Sequence, residues 1–373
     1  MSCSSRSCNP RSFILRHTRT LTFLTAIITA VSLTTATAPS SFAATTTANS
    51  HSVGSHVSDS QSALPQKDAS TDLDALAVSR HTPHYVAIGD SYTTASFDPA
   101  DLWEPCIRNV VDYPHLVAAT TGLPLVEPAC IGATGSGYWY PSRVKGTHVT
   151  VKAAYRDKLN KHTALATINL GLNDIMLAYH MKLVRECFAA AYTNTNRRHS
   201  ACQDRIDKTY RSLIAFLPLE LEGIYRDAKE RISPNGMVIA IGYAEMFTPG
   251  GPCWDNVLIG PADRAYINHV FKGINRAVRL AAHKAHVYSY IPGDHQIRLT
   301  STCGLPFLRW ASSTGFPEVT YPMHPTFAAA VTTAYAVSKI YLSKYPRHSR
   351  LTSSDIAPVS YTHLRAHETR EDL

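Results

Sequence analysis

The run Tyr85-Val86-Ala87-Ile88 is apolar and rich in strand-forming side chains, and it stops at Gly89-Asp90-Ser91. A short apolar run that ends in a turn reads as a strand. It places one serine at the carboxyl end of an expected parallel strand. In open α/β sheets, ligands bind in the crevice outside those ends. A serine there can be a nucleophile, provided that a base and oxyanion donors reach it.

The rest of the chain supports this reading. Strand candidates at Leu125 to Pro128, Ala164 to Leu170, Met237 to Ile241 and Val287 to Ile291 alternate with helix candidates. The helical stretches are Tyr113 to Thr121 (ended by Gly122), Asp174 to Ala191, Tyr210 to Arg231, Pro261 to His283 and Pro325 to Tyr345. The stretch Tyr210 to Arg231 reads as one amphipathic helix that tolerates Pro218 or kinks there. This alternation predicts a parallel sheet with helices on both faces. No internal repeat is visible.

Both ends are expected to lie outside the folded unit. Arg6, Arg11, Arg16 and Arg19 precede an apolar run over residues 21–33 and then Ser41-Phe42-Ala43-Ala44. This is the pattern of a secretory signal over residues 1–43, cleaved after Ala43. The apolar run falls short of the ~20 residues that a membrane span needs. Residues 44–80 are rich in Ser, Thr, Ala, His and Asp and poor in large apolar side chains, so a flexible linker is expected. Residues 81–346 form the globular unit, and 347–373 a disordered tail. Within that tail, the stretch from about Pro358 to Leu373 resembles one reading frame of a transposon-based sequencing adapter. It is set aside as a fusion scar would be.

Without the leader and that stretch, the formal charge falls from +8 to +5. The balance is mildly basic, with no Lys/Arg stripe that would argue for nucleic acid. The 18 histidines are scattered. His283-x-x-His286 alone is weak evidence for a metal site, and surface histidines explain it better. Cys3 and Cys8 leave with the leader, so Cys106, Cys130, Cys187, Cys202, Cys253 and Cys303 remain. An even count in a secreted chain reads as disulfides, and six cysteines allow 15 pairings. No Cys-x-x-Cys pair suggests a zinc ribbon or a redox site.

The base candidate for Ser91 is His324, in Tyr321-Pro322-Met323-His324-Pro325-Thr326, at the junction with the last helix. Pro325 can start that helix. Asn173, in Gly171-Leu172-Asn173-Asp174 after a strand, offers an amide donor, although an Asx-turn or a helix cap is the commoner use of such an Asn. Gly132, in Cys130-Ile131-Gly132-Ala133, lets the backbone approach closely, or is simply a turn glycine. For Asp90 and Asp174, loop-fixing hydrogen bonds and capping are expected, not the role of triad acid.

In this order, Gly-Asp-Ser, Gly, Gly-x-Asn-Asp and His-Pro resemble the SGNH (GDSL-type) hydrolase family, in its secreted actinobacterial esterase and lipase form. The four defining residues match Ser91, Gly132, Asn173 and His324, and the likeness runs from about Tyr85 to Tyr345. It implies a flavodoxin-like three-layer α/β/α fold with a central parallel sheet. It also implies disulfides Cys106–Cys130, Cys187–Cys202 and Cys253–Cys303, and no metal or cofactor. Ser91 would be the nucleophile and His324 the base. The Ser91 and Gly132 N–H groups and the Asn173 amide would form the oxyanion hole.

Two departures stand out. Many members carry Asp three residues before the histidine, where this chain has Tyr321. Either a main-chain carbonyl, of Tyr321 or a neighbour, orients His324, or a distant carboxylate such as Glu318 folds in. The carbonyl of Tyr321 is the expectation. Leu172 replaces a smaller residue, and either narrows the pocket or packs beneath it. Gly137-Tyr138-Trp139-Tyr140 suits an acyl chain and core packing equally. The expected function is a secreted, monomeric carboxylesterase or lipase acting on small-molecule or lipid esters, with transient contact with lipid surfaces. A carbohydrate O-acetylesterase, an acyltransferase and a catalytically silent surface-binding protein are the alternatives.

Overall fold

The computed structural model describes residues 82–94, 106–143, 150–151, 153–248, 253, 258–293 and 300–346. The expected signal, linker and tail lie outside the described residues.

Five parallel strands form the central sheet. They are β1 (His84–Gly89), β2 (Leu125–Val126), β3 (Thr163–Asn169), β4 (Met237–Ile241) and β5 (Tyr288–Tyr290), in the order β2-β1-β3-β4-β5. This is the flavodoxin-like order, and its topological switch point lies between β1 and β3. Successive side chains of a strand point to opposite faces. Accordingly Val86, Ile88, Ala166, Ile168, Val238 and Ala240 enter one buried cluster. Tyr85, Ala87, Leu165, Met237, Ile239 and Ile241 enter the other.

Each face is closed by helices. One carries α2 (Tyr113–Thr121) and the C-terminal α9 (Phe327–Lys344), whose Ala330, Ala334, Val337 and Tyr341 pack with Tyr113 and Val117. The other carries α4 (Leu172–Met176), α5 (Ala178–Thr193), α6 (Ala201–Ile214), α7 (Leu217–Arg231) and α8 (Pro261–Ala285). Between β1 and α2 lies the single turn α1 (Ser91–Thr94), and after β2 comes α3 (Gly135–Trp139). The fold is the expected three-layer α/β/α arrangement.

Some helix limits differ from the sequence reading, each for a local reason. The helix expected over Tyr210 to Arg231 is two helices that meet at Ala215 and Phe216. A proline ring clashes with the carbonyl four residues back. For Pro218 that residue is Ile214, where α6 ends, and Pro218 sits in the first turn of α7 instead. Pro325 does not start α9. It pairs with Ala311 in a short antiparallel ribbon, β6 (Ala311–Ser312) with β7 (His324–Pro325). Thr326 caps α9, its hydroxyl accepting from the Ala329 N–H.

Three disulfides are formed: Cys106–Cys130, Cys187–Cys202 and Cys253–Cys303. The first ties the segment before α2 to the loop after β2, and the second joins α5 to α6. Among the described residues, no helix is long and apolar enough to cross a membrane.

Candidate active site

Ser91 follows directly from the end of β1. Gly89 is required there because a Cβ would sit 1.9 Å from Thr93 Oγ1, inside the turn that starts α1. Asp90 is fully buried, and its carbonyl accepts from the N–H groups of Thr93 and Thr94. Ser91 is therefore the first residue of α1, and its own N–H has no acceptor within that helix.

Asp90 also locks the turn through its side chain. Oδ1 accepts from the Tyr92 N–H at 2.8 Å, and Oδ2 accepts from the Tyr243 hydroxyl at 2.9 Å. Burial raises its pKa to about 7, against the opposing effect of those two bonds. The loop-fixing role expected for Asp90 holds. Sequence reasoning missed Tyr243, two residues past β4. The hydroxyl that donates to Asp90 also accepts from the Leu172 N–H at 3.1 Å. One phenol thus joins the turn after β1 to the turn after β3. A tyrosine just beyond the carboxyl end of a buried strand was the available signal.

The oxyanion candidates come from the loops after β2 and β3. The Cys130 N–H donates to Gly89 O at 3.0 Å, which ties the loop after β2 to the end of β1. Gly132 has φ +72°, in the left-handed region that glycine enters without strain. Among the described residues, no protein group accepts from its N–H. Asn173 does not cap its own helix, where Gly171 holds the N-cap position. Its Nδ2 donates to Ala133 O at 2.9 Å, across forty residues. An amide nitrogen carries two hydrogens. One holds the side chain on the loop that carries Gly132, and the other has no protein acceptor among the described residues. Asp174 likewise reaches across, both its oxygens lying 3.0 Å from the Gly135 N–H at the start of α3.

Leu172 is buried in the core, so it packs under the site. Tyr138 is also core, its hydroxyl donating to Asp227 at 2.8 Å, which settles that residue in favour of packing.

His324 lies on β7, half-buried, with Nε2 2.9 Å from Ser91 Oγ. Its Nδ1 is 2.8 Å from the carbonyl oxygen of Pro322. This corrects the expectation for Tyr321, whose carbonyl instead accepts from the His324 main-chain N–H at 3.1 Å. Two residues back, rather than three, is where a ring folding over its own turn meets a carbonyl. Glu318 is not at the histidine: its carboxylate holds Arg309 at 2.6 and 2.8 Å. Tyr92 braces the ring from beneath, with centroids 5.4 Å apart and its hydroxyl donating to Met323 O at 3.0 Å.

A carbonyl oxygen only accepts, so Nδ1 must carry the hydrogen and Nε2 must be the acceptor for the serine hydroxyl. Burial lowers the His324 pKa, with the Pro322 bond acting in the opposite sense. The imidazole is therefore neutral at neutral pH, with Nε2 free to accept a proton. A serine poised on such an imidazole can carry out acyl transfer where N–H and amide donors meet the developing oxyanion.

A sequence model of the GDSL-like Lipase/Acylhydrolase family matches residues 87–328. The chain belongs to that family. This GDSL-like hydrolase is 28% identical over 268 residues to Lipase 2 of Streptomyces coelicolor, covering 67% of this chain and 83% of that lipase. It is 32% identical over 208 residues to a lipase of Streptomyces rimosus, covering 53% of this chain and 66% of that one. Its fold matches the crystal structure of an extracellular lipase of S. rimosus with a TM-score of 0.53 at 23% identity, over 70% of this chain and all of that one. A phospholipase A1 of Streptomyces albidoflavus matches with a TM-score of 0.52 at 22% identity, over 70% and 99%. The GDSL-like hydrolase is a serine ester hydrolase.

Other potential metal ligands lie elsewhere. Among the described residues, donor atoms of Asp112, His115 and Glu127 fall within 4.8 Å of one another. His115 Nδ1 is 2.8 Å from Asp112 and 3.5 Å from Glu127, so the imidazole itself bridges the two buried carboxylates. His283 and His286 are exposed at the end of α8, where His286 is the left-handed cap.

Proposed function

We propose that Ser91 is the nucleophile and His324 the general base and acid of a secreted enzyme that cleaves carboxylic esters of lipids. The observation that carries this is the 2.9 Å contact between Ser91 Oγ and His324 Nε2, with Nδ1 held on Pro322 O. Ser91 Oγ attacks the ester carbonyl carbon as Nε2 takes its proton. The developing oxyanion accepts from the Ser91 and Gly132 N–H groups and from Asn173 Nδ2. The carbonyl re-forms as the alkoxide leaves, protonated by His324. Water then attacks the acyl-serine with His324 again as base, releasing the acid.

Export is supported by the arginine-rich leader with its apolar run and by the three disulfides, which persist in oxidising compartments. A lipid ester is supported by the lipases among its relatives. The absence of an aspartate beside His324 was the sole support for a catalytically silent protein, and the Pro322 carbonyl removes that support.

The test is labelling by a fluorophosphonate probe, with p-nitrophenyl esters from acetyl to palmitoyl as substrates. Wild type is expected to label and Ser91→Ala not to, with turnover rising for acyl chains longer than acetyl. Correctly oxidised wild type that fails to label would overturn the nucleophile assignment. Turnover confined to acetyl esters would redirect the substrate toward O-acetyl groups.

A further inference from the structure

The ribbon that carries His324 also carries an unusual surface. Leu305, Phe307, Leu308, Phe316 and Val319 are each 49–76% exposed, all within fifteen residues of chain. Apolar groups gathered this way mark an interaction site more often than chance exposure does. Within residues 304–320, the only charged side chains are Arg309 and Glu318, and both are turned inward. Their side chains are 2% and 3% exposed and pair at 2.6 Å.

That pair brings the two apolar stretches together. Glu318 Oε1 accepts from the Phe307 N–H at 3.0 Å, and Arg309 Nη2 donates to Phe316 O at 2.7 Å. Residues 305–308 and 316–319 are thus pinned over one buried ion pair, and neither stretch presents an exposed charge of its own. Phe307 and Val319 moreover hold φ of +63° and +51°. A bulky or β-branched side chain is disfavoured there, and the strain persists only where the surroundings impose it.

We propose that this face, Leu305 to Val319, docks the enzyme on an uncharged lipid surface. The proposal rests on the ester-hydrolase reading of Ser91 and His324. The lack of exposed charge on these two stretches fits a zwitterionic or neutral interface rather than an anionic one. Its continuity with the catalytic ribbon supplies the purpose. Ser312 of β6 pairs with His324 of β7, so the docked segment and the catalytic imidazole belong to one antiparallel unit. Docking brings Ser91 and His324 to the surface that holds the substrate.

The experiment uses phosphatidylcholine vesicles, with and without a dispersed long-chain ester, and p-nitrophenyl acetate as the soluble substrate. Two variants are compared with wild type. Phe307→Asn with Val319→Asn puts a side chain that tolerates left-handed backbone at both strained positions, so folding is preserved. Leu305→Ser with Leu308→Ser changes exposed side chains at ordinary positions. Each is expected to lower vesicle binding and long-chain ester hydrolysis by ~10-fold or more, since each removes two large apolar groups. Turnover of p-nitrophenyl acetate should stay at the wild-type level. Unchanged vesicle binding in both variants would overturn the proposal. So would a wild-type dimer that both variants dissociate, because the face would then cover a second copy. If wild type fails to hydrolyse p-nitrophenyl acetate, the ester-hydrolase reading itself fails.

Discussion

The imidazole of His324 is held at Nδ1 by the carbonyl of Pro322, 2.8 Å away and only two residues upstream. A carbonyl can set the same tautomer as an aspartate does, but it brings no full charge to stabilise the imidazolium. Burial lowers the His324 pKa below its usual 6.5, and among the described residues no carboxylate accepts from the ring to raise it again. As the proposed base, His324 must be neutral to act, so activity is expected to fall as pH drops through that lowered value. The expected profile of kcat/KM against pH is full activity at neutrality and an acid limb with its midpoint below ~6.5. Rates on p-nitrophenyl butyrate between pH 4 and 9 measure this. A midpoint above 7 would mean that a carboxylate partners the ring.

Glu318→Gln separates chemistry from structure. Glu318 binds Arg309 and the Phe307 N–H, and makes no bond to His324. Burial raises its pKa, but the bonds from Arg309 and Phe307 outweigh this and hold its carboxyl below the usual range. Its contribution to stability is thus present above the unfolded pKa and lost as pH falls through the lower folded value. Neutralising one partner of a buried pair costs about 3–5 kcal/mol. Glu318→Gln should therefore unfold more readily at neutral pH, with wild type approaching it in acid. In the folded variant, turnover of a soluble ester should be largely retained. A thousandfold loss in protein that remains folded would reinstate Glu318 as the orienting acid.

Asn173→Ala tests the oxyanion assignment. The Asn173 amide spends one hydrogen on Ala133 O, and in the proposed mechanism the other serves the oxyanion. Removing an oxyanion donor typically lowers kcat by ~10²–10³ with little change in KM. Steady-state kinetics on a soluble ester should show that split. A rise in KM alone would assign the amide to ground-state binding, and no change would remove it from the site.

The strand-helix order was legible, and Ser91, Gly132, Asn173 and His324 could be singled out as candidates, because each stands at a punctuation mark: a strand end, a glycine turn, a helix start. Helices on both faces of the sheet could also be read from the alternation of elements, and β1, β3 and β4 are indeed apolar on both sides. Main-chain partners were less legible. The choice between the carbonyls of Tyr321 and Pro322 depends on a turn whose torsions include Met323 at φ +66°, and side-chain identity does not encode that. Tyr243 was hidden differently. Its hydroxyl works 153 residues away from Asp90 in sequence, and a tyrosine after a strand has many other uses. The division of the helix at Pro218 was available in principle, because the clash with Ile214 follows from covalent geometry alone.

Tyr243→Phe should couple stability to pH in a way that a packing defect would not. The hydroxyl donates to Asp90 Oδ2 and accepts from the Leu172 N–H, all of them buried. Its removal leaves two buried polar groups short of a partner, at a cost of about 1–3 kcal/mol. In wild type the folded pKa of Asp90 is about 7, above the unfolded value of 3.8. The folded state therefore holds its proton more tightly, and this group makes stability fall as pH rises from ~4 to ~7. Without the Tyr243 bond the folded pKa moves higher still, so the decline continues past 7. The stability gap between variant and wild type should be wider at pH 8 than at pH 5, as measured by urea unfolding. Turnover should fall as well, chiefly in kcat, because the turn after β1 and the turn after β3 lose their shared tie. An equal gap at both pH values would show that Tyr243 acts on packing alone, with no influence on the Asp90 proton.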